Sequence, residues 1–249
     1  MTERNNHYAH KIVAIVPVFN EAACVEAVIR EVDKSIPGVE VVVIDDGSTD
    51  NSAQVAQAAQ ASVIILPYNL GIGGAVQTGY LFASEMEYDF AVRLDGDGQH
   101  NPTQLSALLD PLILGQADVI VGSRYLQGRK FRVSWSRSIG VKVFAAMVSL
   151  ITGQRFTDTT SGFQAANRAA VQFLAQHLPS DYPEIEGLVL LCRAGFRVKE
   201  VPVTMRPRVA GQSSITLFRS VYYVFKVSLA LLIGLLQPPP KRIYHDGPR

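Results

Sequence analysis

The chain has 249 residues, 48% of them hydrophobic and 18% charged, which excludes disordered and fibrous proteins and suits one α/β domain with a sizeable core. Lysine plus arginine total 23 against 22 acidic residues, a formal charge of +1, so nothing global points to nucleic acid as a partner. The two cysteines, Cys24 and Cys192, stand outside any CxxC pair and within apolar helical patterns, as expected of buried thiols in a reducing compartment. Met1 to His10 is polar, without the apolar core of a signal peptide, so the chain is expected to stay in the cytoplasm.

In chain order, Ile12–Val18 is a short apolar run, the pattern of a strand buried on both faces. Asn20 can cap a helix whose apolar positions Ala22, Val25, Ile29 and Val32 keep helical spacing. Val39–Ile44 predicts a second strand running into Asp45-Asp46-Gly47, and Asp50 can cap the short Ala/Gln-rich helix after it. Ser62–Leu66, Phe90–Leu94 and Asp118–Val121 predict further strands, with a helix over Gly73–Met86. Repeated β-α-β units imply a mostly parallel, Rossmann-like sheet flanked by helices. Ligands of such sheets bind beyond the carboxyl ends of the strands, where the acidic motifs fall.

The second half is less regular. Arg124–Lys142 holds the basic residues Arg124, Arg129, Lys130, Arg132, Arg137 and Lys142 and the only tryptophan, Trp135. An apolar helical stretch, Val141–Ile151, follows, then a helix through Glu184–Arg193 and a strand near Arg197–Val203. The chain is expected to divide into a main domain over 1–214, an apolar helix over 215–236 and a polar, Pro-rich tail over 237–249.

The most specific feature is RLDGDGQHNP, Arg93 to Pro102. Asp95 and Asp97 are two apart just past a strand, so their carboxylates face one way and repel unless a cation sits between them. Oxygen ligands select a hard ion, Mg2+ or Mn2+. A Lewis acid of this kind stabilises the charge that develops on a departing nucleoside diphosphate. A plain Asp/Gly turn is the bland alternative, and the strand-end position weighs against it. In VIDDGSTDN, Asp46 can accept from the base or ribose of a nucleotide. In VPVFNE, Pro17 and Phe19 can lie along the base, with Glu21 near the ribose. The glycines of NLGIGGAVQTG do not form a dinucleotide fingerprint, which requires G-x-G-x-x-G after the first strand. They read as the start of a helix near the donor's nucleoside end.

These loops together resemble the family 2 glycosyltransferases, which have a GT-A fold. The resemblance runs in order over roughly Ile12 to Ser214, through VPVFNE (16–21), VIDDGSTDN (43–51), NLGIGGAVQTGY (69–80), RLDGDGQHNP (93–102), GSRY (122–125), DTTSGFQAANR (158–168) and EVPVTMRPRVAGQSS (200–214). It is closest to the branch that makes polyprenyl-phosphate sugars. That resemblance implies Asp95, Asp97 and Gln99 as ligands of Mg2+ or Mn2+. It implies Pro17, Phe19, Asn20, Glu21, Asp46, Ser48, Gly71, Gly74 and Asp95 at the nucleotide. Asp97, Arg124, Arg137, Asp158 and Glu186 would form the catalytic set, with Arg124, Arg137, Arg208 and Ser213 holding the acceptor phosphate. Ser214 stands where the branch's R-x-x-G-x-S-K segment has its lysine, one phosphate-binding cation fewer.

The acceptor decides what else is needed. A sugar hydroxyl wants a carboxylate base, for which Glu184, Glu186 and Asp158 are candidates. A lipid phosphate is already an anion and needs cations instead, as the arginine-rich run with Trp135 would provide. The reading is therefore an inverting, metal-dependent transferase that moves a sugar from a UDP- or GDP-sugar to a polyprenyl phosphate at the cytoplasmic membrane face. The alternatives are transfer to a saccharide hydroxyl and a non-catalytic sugar-nucleotide-binding scaffold. Within Ile215–Leu236, with Arg219 and Lys226 seven apart, only Val227–Leu236 is both uncharged and strongly apolar. Ten residues reach about 15 Å as a helix against a hydrocarbon core of about 30 Å. The expectation is an amphipathic helix with its basic side at lipid headgroups, or docked on a small integral membrane partner protein. A homo-oligomer stays open.

Overall fold

The computed structural model describes residues 10–126, 135–207, 217–238 and 240, with the side chains of 135–139 and 217–223 left aside. The strands are β1 (Ile12–Val18), β2 (Glu40–Asp45), β3 (Ser62–Ile65), β4 (Phe90–Arg93), β5 (Val119–Ser123), β6 (Gln164–Asn167) and β7 (Val198–Pro202). The helices are α1 (Val25–Ser35), α2 (Ser52–Ala58), α3 (Gly71–Glu85), α4 (Leu105–Ile113), α5 (Trp135–Thr152), α6 (Arg168–His177), α7 (Pro183–Arg193) and α8 (Leu217–Leu236). A 3-10 turn, Pro102–Gln104, precedes α4. The strands form one sheet in the order β3-β2-β1-β4-β6-β5-β7.

Strand β1 lies inside the sheet, between β2 and β4, and every one of its residues is buried. Its side chains alternate between the faces. Val13 and Ile15 join a core built with α3, α5, α6, α7 and α8; Ile12, Ala14, Val16 and Val18 join a second core with α1 and α4. Burial on both faces explains why β1, β2 and β5 read as continuous apolar runs rather than alternating ones.

All pairings are parallel except those of β6, which runs antiparallel to both β4 and β5. Arg93 at the end of β4 pairs with Gln164 at the start of β6. The reversal therefore delivers the segment just before β6, Thr160 to Gly162, to the rim where the parallel strands end. Neither β6 nor α6 was expected from the sequence; a four-residue strand with polar ends, Gln164 and Asn167, has no periodicity to read.

Two capping expectations are corrected. Asn20 does not cap α1, which begins at Val25 with Cys24 before it. Asn20 has φ +58°, and its Oδ1 accepts from the backbone N–H of Thr49 (2.8 Å) and Asp50 (3.3 Å), tying the β1 loop to the β2 loop. Asn51, not Asp50, is the residue before α2; Asp50 accepts from the N–H of Ser52 (2.9 Å) and also from that of Ala22 (3.2 Å), so it serves the same tie. Cys24 is buried and Cys192 half-buried, both as free thiols, and burial pushes the Cys192 thiol up to about 11.

Helix α3 starts with Gly71 at φ +81°, a left-handed conformation suited to glycine. Two residues on, a Cβ at Gly73 would collide with the backbone of Ser180. The first turn of α3 thus packs directly on the loop between α6 and α7. Gly73→Ala is expected to lower stability by about 1–3 kcal/mol, because backbone rather than a flexible side chain must yield. Urea denaturation checks it, and a change below about 0.3 kcal/mol would contradict the close approach.

Candidate active site

The carboxyl ends of β1, β2 and β4 open onto a cavity of about 420 Å³. Pro17, Val18, Phe19 and Glu21 come from the β1 loop; Asp46 from the β2 end; Asn69, Gly71, Ile72 and Ala75 from the start of α3. Arg93, Asp95, Gly96 and Asp97 come from β4 and its loop, Thr160 and Gly162 from the reversal before β6, and Glu184 from α7.

Asp46 is buried, and both its oxygens are engaged by α3: Oδ1 accepts from the N–H of Leu70 (2.7 Å) and Oδ2 from that of Gly71 (2.9 Å). It works as a helix cap supplied from a neighbouring strand, meeting orphan donors that no residue of α3 itself satisfies. Ser48 accepts from the N–H of Asn20 (3.0 Å) and Gly74 packs on Leu70; neither lines the cavity.

The β4 loop is shaped from below. His100, buried and stacked on Phe163 at 4.9 Å, accepts the N–H of Asp95 on Nδ1 (2.9 Å). That bond requires an unprotonated Nδ1, and burial pushes the imidazole below its ordinary range. Asp97 Oδ1 accepts from the N–H of Gln99 (3.0 Å), and the Gln99 carbonyl accepts from the N–H of Arg206 (2.8 Å). Gln99 is thereby held by its backbone on two sides, and it is not among the cavity residues. Asp95 Oδ1 is buried and takes no hydrogen bond among the described residues; it lies 3.9 Å from Arg93 Nη2. Among the described residues no group of three or more His, Cys, Asp or Glu is poised around one point. Two carboxylates at a cavity suit a hard divalent ion that takes its remaining oxygens from a bound diphosphate.

Arg93 is 2% exposed and was not singled out as a site residue from the sequence. Its Nη2 donates to Glu184 Oε1 at 2.5 Å. Burial works against its charge, but Glu184 and Asp95 outweigh that and hold the guanidinium above its ordinary value. Tyr80, buried behind the pair, has its hydroxyl pushed up to about 12, chiefly by burial.

Arg124 and Asp158 form a second buried pair. Asp158 is fully buried and accepts from Arg124 N (3.0 Å), Nε (2.6 Å) and Nη2 (2.7 Å), and Arg124 Nη2 also reaches Thr160 Oγ1 (2.7 Å). Glu200 on β7 accepts from the backbone N–H of Thr157 (2.9 Å) and Asp158 (2.7 Å) and so fixes that loop from behind. Asp158 is placed to orient Arg124 and, through it, Thr160 at the cavity. Glu186 lies half-buried on α7 with Oε1 unbonded among the described residues; burial, with Asp181, raises it above the usual carboxylate range. It does not line the cavity, whereas Glu184, two residues earlier, does. The Arg137 side chain, Arg208 and Ser213 lie outside the described residues, as do Trp135's ring and residues 127–134.

A mostly parallel sheet, with helices on both faces and a two-aspartate loop at the strand ends, defines the class as an α/β protein of GT-A fold. Glucosyl-3-phosphoglycerate synthase from Mycobacterium tuberculosis, solved with Mn2+, UDP and glucosyl-3-phosphoglycerate, superimposes with a TM-score of 0.67 at 22% identity, covering 91% of this chain and 80% of that one. At that identity the likeness speaks to fold alone. The model of "Glycosyl transferase family 2" matches residues 13–174. The chain belongs to that family and is a glycosyltransferase. It is 29% identical over 216 residues to an undecaprenyl-phosphate mannosyltransferase of Micrococcus luteus, covering 83% of this chain and 88% of the relative. It is 28% identical over 228 residues to a polyprenol monophosphomannose synthase of Mycolicibacterium smegmatis, covering 88% and 86%.

Proposed function

We propose that the chain transfers a sugar from a nucleoside-diphosphate sugar to a polyprenyl phosphate at the cytoplasmic membrane face, with inversion at the anomeric carbon. A phosphate oxygen of the lipid forms the new bond to that carbon while the bond to the diphosphate breaks. The observation that carries the reading is the cavity at the strand ends, which sets Asp95 and Asp97 beside Phe19, Glu21 and the Asp46-held start of α3. Asp95 and Asp97 would hold Mg2+ or Mn2+, which would offset charge on the leaving diphosphate. The polyprenyl-phosphate enzymes among the relatives support the acceptor class.

The placement of the other carboxylates favours an anionic acceptor over a hydroxyl. Asp158 is committed to Arg124, and Glu186 is away from the cavity. Glu184 is the carboxylate left for a base, and Arg93 engages it. The test is incubation of purified protein with Mn2+, undecaprenyl phosphate and a panel of sugar nucleotides, with products read by mass. A lipid-linked sugar is the expected product; transfer to free saccharide alone would favour the hydroxyl acceptor.

The membrane contact falls to α8. Val227 and Leu231 are buried in the main core, while Phe225, Leu229, Leu232, Ile233 and Leu236 are exposed at helical spacing. Among the described residues no helix is long and apolar enough to cross a membrane. Lys226 is exposed, 3.4 Å from Asp181 and over the ring of Tyr182, so part of its charge is met within the protein. The Arg219 side chain lies outside the described residues. Leu229→Glu with Leu232→Glu should weaken sedimentation with phosphatidylglycerol-containing vesicles at least about tenfold, given roughly 1.5–3 kcal/mol for each buried leucine. Unchanged sedimentation would remove α8 as the lipid anchor and point to a membrane-protein partner.

A further inference from the structure

The two ends of the cavity differ in chemistry. Phe19, Asn69 and Ile72 surround the end where Asp46 holds α3; Arg93, Thr160, Gly162 and Glu184 meet at the other. The loop of Asp95 to Asp97 touches both. Gly96 packs on Val18 and the carbonyl of Pro17, and Asp95 abuts Arg93 and Gly162. A diphosphate anchored on that loop, with its nucleoside toward Phe19, directs its sugar to the Arg93–Glu184 end.

Resting on that reading of the donor, we propose that Glu184, fixed by Arg93, selects the donor sugar by accepting hydrogen bonds from its ring hydroxyls. The substrate class is an uncharged hexose with a free hydroxyl at the position read. Arg93 locks the geometry: its guanidinium is buried and bonded to Glu184 Oε1, so the carboxylate is held in place before any ligand arrives. Among the described residues the second oxygen of Glu184 takes no hydrogen bond, and the side chain is 18% exposed. An ionised carboxylate only accepts, so it matches hydroxyl groups and repels the carboxylate of a uronic acid. Gly162 lets its backbone pack closely on this end, since a Cβ there would stand 3.1 Å from Asp95 Oδ1 and 3.2 Å from Arg93 Nη2. Thr160, held by Arg124, adds a hydroxyl on the same side.

The test compares wild type with Glu184→Gln, using Mn2+, undecaprenyl phosphate, UDP-glucose, GDP-mannose, their deoxy analogues and UDP-glucuronate. Binding of UDP and GDP with Mn2+ is measured alongside by calorimetry. For the sugar that wild type uses best, Glu184→Gln should lower kcat/KM about 100-fold. It should also shrink the preference over the deoxy analogue to about threefold or less, with nucleoside diphosphate affinity kept within about twofold. A paired Arg93→Met, Glu184→Leu variant removes both buried charges together, which folds more readily than stranding one, and should lose the same discrimination. Wild-type discrimination in either variant, with nucleotide binding intact, overturns this assignment and leaves the donor reading standing. Failure of wild type to bind either nucleotide with Mn2+ overturns the donor reading and this assignment with it.

Discussion

Asp97→Asn is expected to lower sugar transfer about a thousandfold while leaving the fold unchanged. The two halves of that expectation have separate causes. Asp97 Oδ1 accepts from the N–H of Gln99, and the amide oxygen of asparagine can do the same, so the loop keeps its shape. What the substitution removes is negative charge from the pair that would hold the metal. Several kcal/mol of leaving-group stabilisation depend on that ion, and about 4 kcal/mol corresponds to three orders of magnitude in rate. Initial rates at saturating Mn2+ read the first effect, and the thermal midpoint, within about 2 °C of wild type, reads the second. Transfer within tenfold of wild type would exclude Asp97 from the metal site.

Asp158→Ala is expected to cost about 3–5 kcal/mol of folding stability, measured by urea denaturation, because it strands the nearly buried Arg124 without its partner. Burial opposes the charge on Arg124, and Asp158 is the group that outweighs it. The paired variant Arg124→Met, Asp158→Leu leaves neither charge in the interior and should recover most of the lost stability. It should not recover activity, because Thr160 loses the guanidinium that holds it at the cavity. A stable Asp158→Ala protein lacking only transfer to a hydroxyl acceptor would instead revive Asp158 as a proton acceptor.

The alternation of apolar runs and helical spacing in the first half was legible because β1, β2 and β4 are buried strands and their motifs sit where such strands end. The position of the aspartate pair at the end of a strand was legible too, since Asp95 and Asp97 follow β4 directly and both line the cavity. The role of Asp46 was not: its partners, the N–H groups of Leu70 and Gly71, lie more than twenty residues away and carry no side-chain signal. Asn20 reads as a cap for the same reason, because its actual partners belong to the β2 loop.

By itself the sequence determined the α/β class, the order of the parallel strands' motifs, and the acidic loop at their ends, all of which follow from local periodicity and short-range spacing. Only the tertiary structure decided that β6 runs against its neighbours and carries Thr160 and Gly162 to the rim, and that Glu184 rather than Glu186 faces the cavity. It also decided that Arg93 is the buried cation between Glu184 and Asp95. Strand direction and the rotation of α7 are set by long-range packing, which a one-dimensional pattern does not encode.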